Sequence, residues 1–337
     1  MSESQPTSIP NAKRKRTTMR LEPPSTASGA TRSTRIWLED GNVIIQAQTT
    51  QFRVHRGILS RHSRVFKDMF AIPQPELGEP VIEGCPIFRL FDAAQDWENL
   101  LTLLYDGSIK SEGWMNDISL GLMVSMLRLG KKYEFKHFRQ IALQRLRAEL
   151  PQTLETWDKR YLGKPPLRDE ETEFDLLNIA LEVGVQTVLP IAFYWCLQDR
   201  TMKQIIRGIP RKDGTLSQLT QETKNTLVLG KERLSAGTVK HAVGWLKSDK
   251  CVPCAQCTSR DACKAARFRI LEMFWPMLNV SIALDPVGLG LTMRKFCAPC
   301  ATAAREVFQD GRKKIWKELP SYFGLPRWED LKDFDRK

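Results

Sequence analysis

The sequence has no apolar run long enough to cross a bilayer. Its longest strongly apolar stretch, Thr187 to Leu197, is about half of the ~20 residues a spanning helix needs, and Pro190 interrupts it, so it reads as a buried helix. A secretory leader is missing too, because Met1 to Ala30 is polar and has no apolar core. These absences predict an intracellular protein, in nucleus or cytoplasm, that stays out of membranes. The chain also lacks a complete phosphate-binding glycine loop, a G-x-S-x-G and an H-E-x-x-H. Gly288-Leu289-Gly290 is only a fragment of a dinucleotide fingerprint. The expectation is therefore a protein that is not an enzyme and takes no small-molecule substrate.

What is present suits a folded chain of more than one part. Its 337 residues exceed the ~100 to 200 typical of one domain, so two are expected. Apolar and charged contents of 42% and 27% are ordinary for a globular protein. The net charge of +12 would attract polyanions, yet charge alone does not select nucleic acid over an acidic protein, and solvated faces are its simpler explanation. Residues 1–34, rich in Ser, Thr, Pro and basic side chains, read as a disordered basic tail. Within it, Lys13, Arg14, Lys15 and Arg16 form a nuclear import candidate or a plain solvated charge run.

Gln51 to Phe70 carries the clearest local pattern. Phe52 and Val54 alternate with polar neighbours as in a half-buried strand. From Ile58 the spacing lengthens through His62, Val65, Phe66 and Met69, which would share one face of an amphipathic helix. Ahead of it, Trp37-Leu38 and Val43 to Ile45 suggest strands around a tight turn at Asp40-Gly41-Asn42. Pro80 to Leu90 reads as another strand, and helices are expected over 97–105, 118–129 and 135–150. Strands followed by a run of helices predict an α+β layer architecture.

Phe52, Val54, His55, Ile58, Leu59, Ser60, Ser63, Val65, Phe66, Met69 and Phe70 resemble the F-x-V-H-x-x-x-L-x-x-x-S-x-x-F-x-x-M-F signature of BTB/POZ domains. The resemblance covers residues 35–150. It implies a small sheet surrounded by helices and a role in protein association, as a homodimer or as an adaptor, including one for a cullin-type ubiquitin ligase. His55 and His62 lie within the matched stretch without a paired nucleophile, so structural roles are expected for them.

Residues 151–172, with Pro165 and Pro166, read as a linker, residues 173–329 as a helical domain, and residues 330–337 as a mobile tail. Helices are expected over 174–183, 186–197, 216–234 and 267–278, and again from Ala304 to Leu319, where Pro320 stops the last one. The aromatic ending, Trp316 to Trp328, should fold back as core.

Six of the eight cysteines fall in two short segments, Cys251-x2-Cys254-x2-Cys257-x5-Cys263 and, after 33 intervening residues, Cys297-x2-Cys300. In a reducing compartment such pairs point to a structural zinc site, since a C-x-x-C turn brings two sulfurs to one ion and a distant pair closes the tetrahedron. Reactive thiols are the competing reading. The spacing leaves the first pair open. This half is similar to fungal BTB proteins with a cysteine-containing helical region, and that likeness implies Cys257 and Cys263 with Cys297 and Cys300; Cys254 with Cys257, or Cys251 with Cys254, are the other first pairs. A four-thiolate site has no open place for substrate and would brace the fold. The compact spacing of a fungal binuclear zinc-cluster DNA-binding domain is not met, so a nuclear DNA-binding regulator is the alternative and an interaction protein of unknown partner the main expectation.

Overall fold

The computed structural model describes residues 29–72, 81–106, 118–162, 173–198, 200–211, 214–274, 279–287 and 290–334. Lys13 to Arg16 and most of the expected basic tail lie outside them, as do Pro165 and Pro166. Strand β1 (Thr31–Trp37) begins inside the stretch expected to be a disordered tail. Its backbone finds partners there: Thr31 N–H donates to the Thr49 carbonyl at 2.7 Å, and the Ser33 hydroxyl accepts from Arg35 and Ile36. Strands β2 (Val43–Ala47) and β3 (Thr50–Val54) form an antiparallel hairpin, and β1 runs parallel to β3 on its other side. The turn at Gly41 forms, with its N–H on the Leu38 carbonyl at 3.0 Å, but the strands that it joins are not neighbours, because β3 lies between them.

The single helix expected after β3 is two, α1 (Arg56–His62) and α2 (Arg64–Ala71). Ser63 breaks the run with an extended backbone, and its hydroxyl accepts the Phe66 N–H at 3.1 Å while donating to the Tyr133 carbonyl. The helix pair carries the chain to β4 (Val81–Ile82) and β5 (Cys85–Leu90), and β5 pairs parallel with β2. The sheet order is β1-β3-β2-β5-β4. Helices α3 (Ala94–Asp106), α4 (Leu120–Lys132) and α5 (Lys136–Glu149) pack around it. Phe66, fully buried, meets the rings of Phe70, Trp97, Tyr133 and Phe135 at centroid distances of 5.1 to 6.1 Å, so the residue expected on the apolar face is the centre of an aromatic core.

The expected linker contains helix α6 (Leu154–Leu162), and it is packed. Trp157 is buried, donates its indole N–H to the Leu284 carbonyl at 2.9 Å and meets Tyr194 edge-on at 5.6 Å. Helices α7 (Glu173–Val183) and α8 (Leu189–Gln198) follow, and in α8 every residue from Leu189 to Leu197 is buried, as the apolar run predicts. After α9 (Met202–Arg207) a ribbon of β6 (Ile209–Pro210) and β7 (Leu216–Ser217) occupies the start of the helix expected from Leu216. That helix, α10 (Gln221–Thr238), begins where the Thr220 hydroxyl accepts the Thr223 N–H at 3.2 Å. It continues through a π-helical turn, Val239–Val243, and a 3-10 turn, Gly244–Lys247.

Helices α11 (Arg260–Phe274), α12 (Gly290–Met293) and α13 (Ala298–Tyr322) complete the fold. Helix α13 crosses the π-helical turn at Gly311, where a Cβ would lie 2.2 Å from the His241 carbonyl oxygen. Pro320 does not stop α13 but sits within its last turn, and Val307 is exposed instead of joining the core. The aromatic ending folds back: Trp328 stacks on Trp316 at 5.2 Å, and Phe323 on Phe193 at 5.0 Å. The expected mobile tail is tied down as far as residue 334, because Leu331 is buried and Asp333 accepts from Thr187 and pairs with Arg147 at 2.7 Å. Phe66→Ala should remove about 3 to 5 kcal/mol of stability, read as an earlier denaturant midpoint of the unfolding transition; an unchanged midpoint would contradict the aromatic core.

Candidate metal centre and a basic cleft

The cysteines arrive on two helix starts and one loop. Cys263 lies in the first turn of α11, Cys297 caps α13, and Cys300 lies in its first turn; Cys257 sits in the loop before α11. Helix N-termini offer free N–H groups and partial positive charge, which favour thiolate over thiol. The sulfurs of Cys257, Cys263, Cys297 and Cys300 all lie within 4.8 Å of one another. Cys257 Sγ and Cys297 Sγ are 3.7 Å apart, close to the roughly 3.8 Å edge of a tetrahedron with 2.3 Å zinc–sulfur bonds. That separation is far beyond a bonded pair at ~2.05 Å, and all eight cysteines are free. The donor set therefore fits zinc, with four soft ligands at a common centre.

The surroundings treat the sulfurs unequally. The N–H groups of Cys300 and Thr258 point at Cys297 Sγ and hold its pKa down to about 6, whereas burial pushes the Cys263 and Cys300 thiols up. Cys297 N–H in turn donates to Cys263 Sγ at 3.3 Å. The loop leading to the site is braced by Arg267, whose buried guanidinium on α11 donates to the carbonyls of Ser248 and Val252 and pairs with Asp249 at 3.0 Å. Arg267 escaped the sequence reading; its helical spacing with Cys263, Ala266 and Ile270 on the buried face was the signal. The other first-pair cysteines stand apart from the four-sulfur set, although Cys254 Sγ approaches Cys300 Sγ to 3.6 Å.

The histidines of the opening stretch have structural partners. His55 meets the Asp40 carboxylate at 3.1 Å and the Tyr105 hydroxyl at 3.2 Å, and His62 stacks on Phe138. Burial and the charges of Arg61 and His137 lower the His62 pKa. His62 also borders an open cleft of about 900 Å³ between α1, α2 and the start of α5. Arg61, Arg64, Lys67 and Lys136 line it against two acids, Asp68 and Glu134, and only Arg64 among these cations has an ion pair among the described residues, to Asp68. No described helix is long and apolar enough to cross a membrane.

Comparison with curated proteins finds no match for this chain. A family model does match over residues 38–150, the span from the end of β1 through α5. The sheet order, the helix pair broken at Ser63 and that match agree, and residues 38–150 of this protein are a BTB/POZ domain.

Proposed function

We propose that the protein is a self-associating interaction scaffold or adaptor, in which the BTB/POZ domain provides the contact surface and a zinc-braced helical region, residues 173–329, presents a second one. A BTB/POZ domain supports a protein interaction or adaptor role, and the domain match is the observation that carries the reading. The basic cleft supports a partner segment rich in carboxylates, since unpaired Arg61, Lys67 and Lys136 would each meet an opposite charge. The ion would brace the fold and not react: four thiolates fill its coordination, and they hold the ends of α11 and α13 together. Cullin adaptor and nuclear DNA-binding regulator are finer alternatives, marked by cullin co-purification and by salt-sensitive DNA binding respectively.

Light scattering over a dilution series should show a mass that falls from dimer toward monomer; a monomer at every concentration would remove self-association from the proposal. Protein purified without added metal should contain zinc, and chelation should lower its melting temperature. Cys297→Ser should deplete the metal, whereas Cys85→Ala, far from the cluster in β5, should leave it in place. Zinc binding displaces thiol protons, so zinc retention, read by elemental analysis across a pH series, should fall as the pH is lowered.

A further inference from the structure

The surface around the cysteine cluster is positive and unpaired. Within four residues of Cys257, Cys263, Cys297 or Cys300 stand the exposed cations Arg260, Lys264, Arg294 and Lys295, with Asp261 as the one acid. Because the four sulfurs lie within 4.8 Å of one another, the start of α11 and the stretch before α13 converge, and cations from two distant segments meet around one centre. None of the four makes a side-chain hydrogen bond or an ion pair among the described residues, whereas buried Arg267 is engaged by Ser248, Val252 and Asp249. Residues 247–300 carry eight Lys and Arg against four Asp and Glu, so the segment stays positive even beside the charge of about −2 that a zinc ion with four thiolates has. The same stretch presents an aromatic ring. Phe268 is 46% exposed, one helical turn beyond Lys264 and two beyond Arg260, so the three follow one side of α11. The Arg267 guanidinium packs 5.1 Å from the ring centroid, and the rest of the ring is open to water. A carboxylate-rich peptide would use the cations alone. A single-stranded nucleic acid uses both features, its phosphates meeting the cations and an unpaired base stacking on the ring.

We propose that this part of the helical region binds single-stranded nucleic acid, with Arg260, Lys264, Arg294 and Lys295 neutralising phosphates and Phe268 stacking on a base. The proposal rests on the reading that residues 173–329 present a second contact surface. It does not require the zinc ion, only the convergence of the two segments. Charge and stacking recognise the backbone and the flat face that every base has, so the contact separates single strands from duplex and carries little sequence preference.

Fluorescence anisotropy of a labelled oligo(dT) strand of about 15 nucleotides, titrated with the full chain, tests this. Four phosphate contacts predict a log–log salt slope of about −2.8, so binding should weaken about 50-fold between ~50 and ~200 mM salt. Arg260→Glu with Lys264→Glu should weaken binding at least about tenfold and halve the slope, whereas Phe268→Ala should weaken it about fivefold or more at an unchanged slope. Binding should persist when Lys13, Arg14, Lys15 and Arg16 are all changed to Ala; its loss there would move the contact to those four residues and overturn the proposal. No binding by the wild type at ~50 mM salt overturns it outright. Equal affinity for the duplex removes the stacking, and a polyglutamate peptide that competes as well as the oligonucleotide assigns the surface to an acidic protein; either result overturns it too. Zinc content and melting temperature of each variant separate a lost contact from a lost fold, and the wild-type results decide without the variants. The dimer mass and the zinc count are read independently, so failure here leaves the scaffold reading to its own tests.

Discussion

A carboxylate buried at the seam between the two halves governs how they meet. Glu149, the last residue of α5, is 1% exposed, and a charge removed from water in this way is unfavourable by several kcal/mol unless it is matched. Two guanidiniums match it: Arg145, one turn earlier on α5, and Arg160, from α6, at 3.4 Å. Arg160 also lies over the Trp195 ring of α8 at 4.3 Å. One ion cluster therefore sets the positions of α5, α6 and α8 together. Asp158 extends the arrangement by pairing with Arg312, buried on α13. The BTB/POZ domain and the helical region share this polar seam, which accounts for the packing of α6 over residues 154–162.

The cysteine cluster solves a related problem at the other end of the helical region. Sulfurs brought within 4.8 Å repel one another once ionised, so their proximity makes sense around a cation. Two helix N-termini and the loop before α11 hold the four sulfurs, and Arg267, whose charge is spent on loop carbonyls and Asp249, braces the loop beside them. Helices α11 and α13 both begin at the cluster, and α13 continues past Gly311 against the π-helical turn Val239–Val243 that follows α10.

Much of this was legible in the sequence where one local rule acted alone. The alternation at Phe52 and Val54, the apolar run Leu189 to Leu197 of α8 and, in the aromatic ending, Trp316, Tyr322 and Phe323 each report burial directly, and these residues are buried. The spacing of the cysteines left the first pair open, the fungal likeness implied Cys257 and Cys263, and the structure places those two sulfurs within 4.8 Å of Cys297 and Cys300. Where two rules competed, the pattern misled. Ser63 interrupts an apolar stripe that continues in phase across it, because its hydroxyl caps one helix and anchors Tyr133. Thr31 to Arg35 carries too few apolar side chains to announce a strand, since its order comes from backbone pairing. Arg145, Arg160 and Arg312 look like surface charges until their partners, distant in sequence, are known.

The clasp at Asp333 has a temporal meaning. Its carboxylate reaches Arg147 across 186 positions of sequence and Thr187 across 146, while Phe334 N–H closes on the Gly184 carbonyl at 2.7 Å. During synthesis the BTB/POZ domain has all of its strands and helices in hand long before residue 333 leaves the ribosome, and domains fold as units in that order. The link that Asp333 makes between Arg147 of α5 and Thr187 before α8 therefore closes only after the helical region has been made.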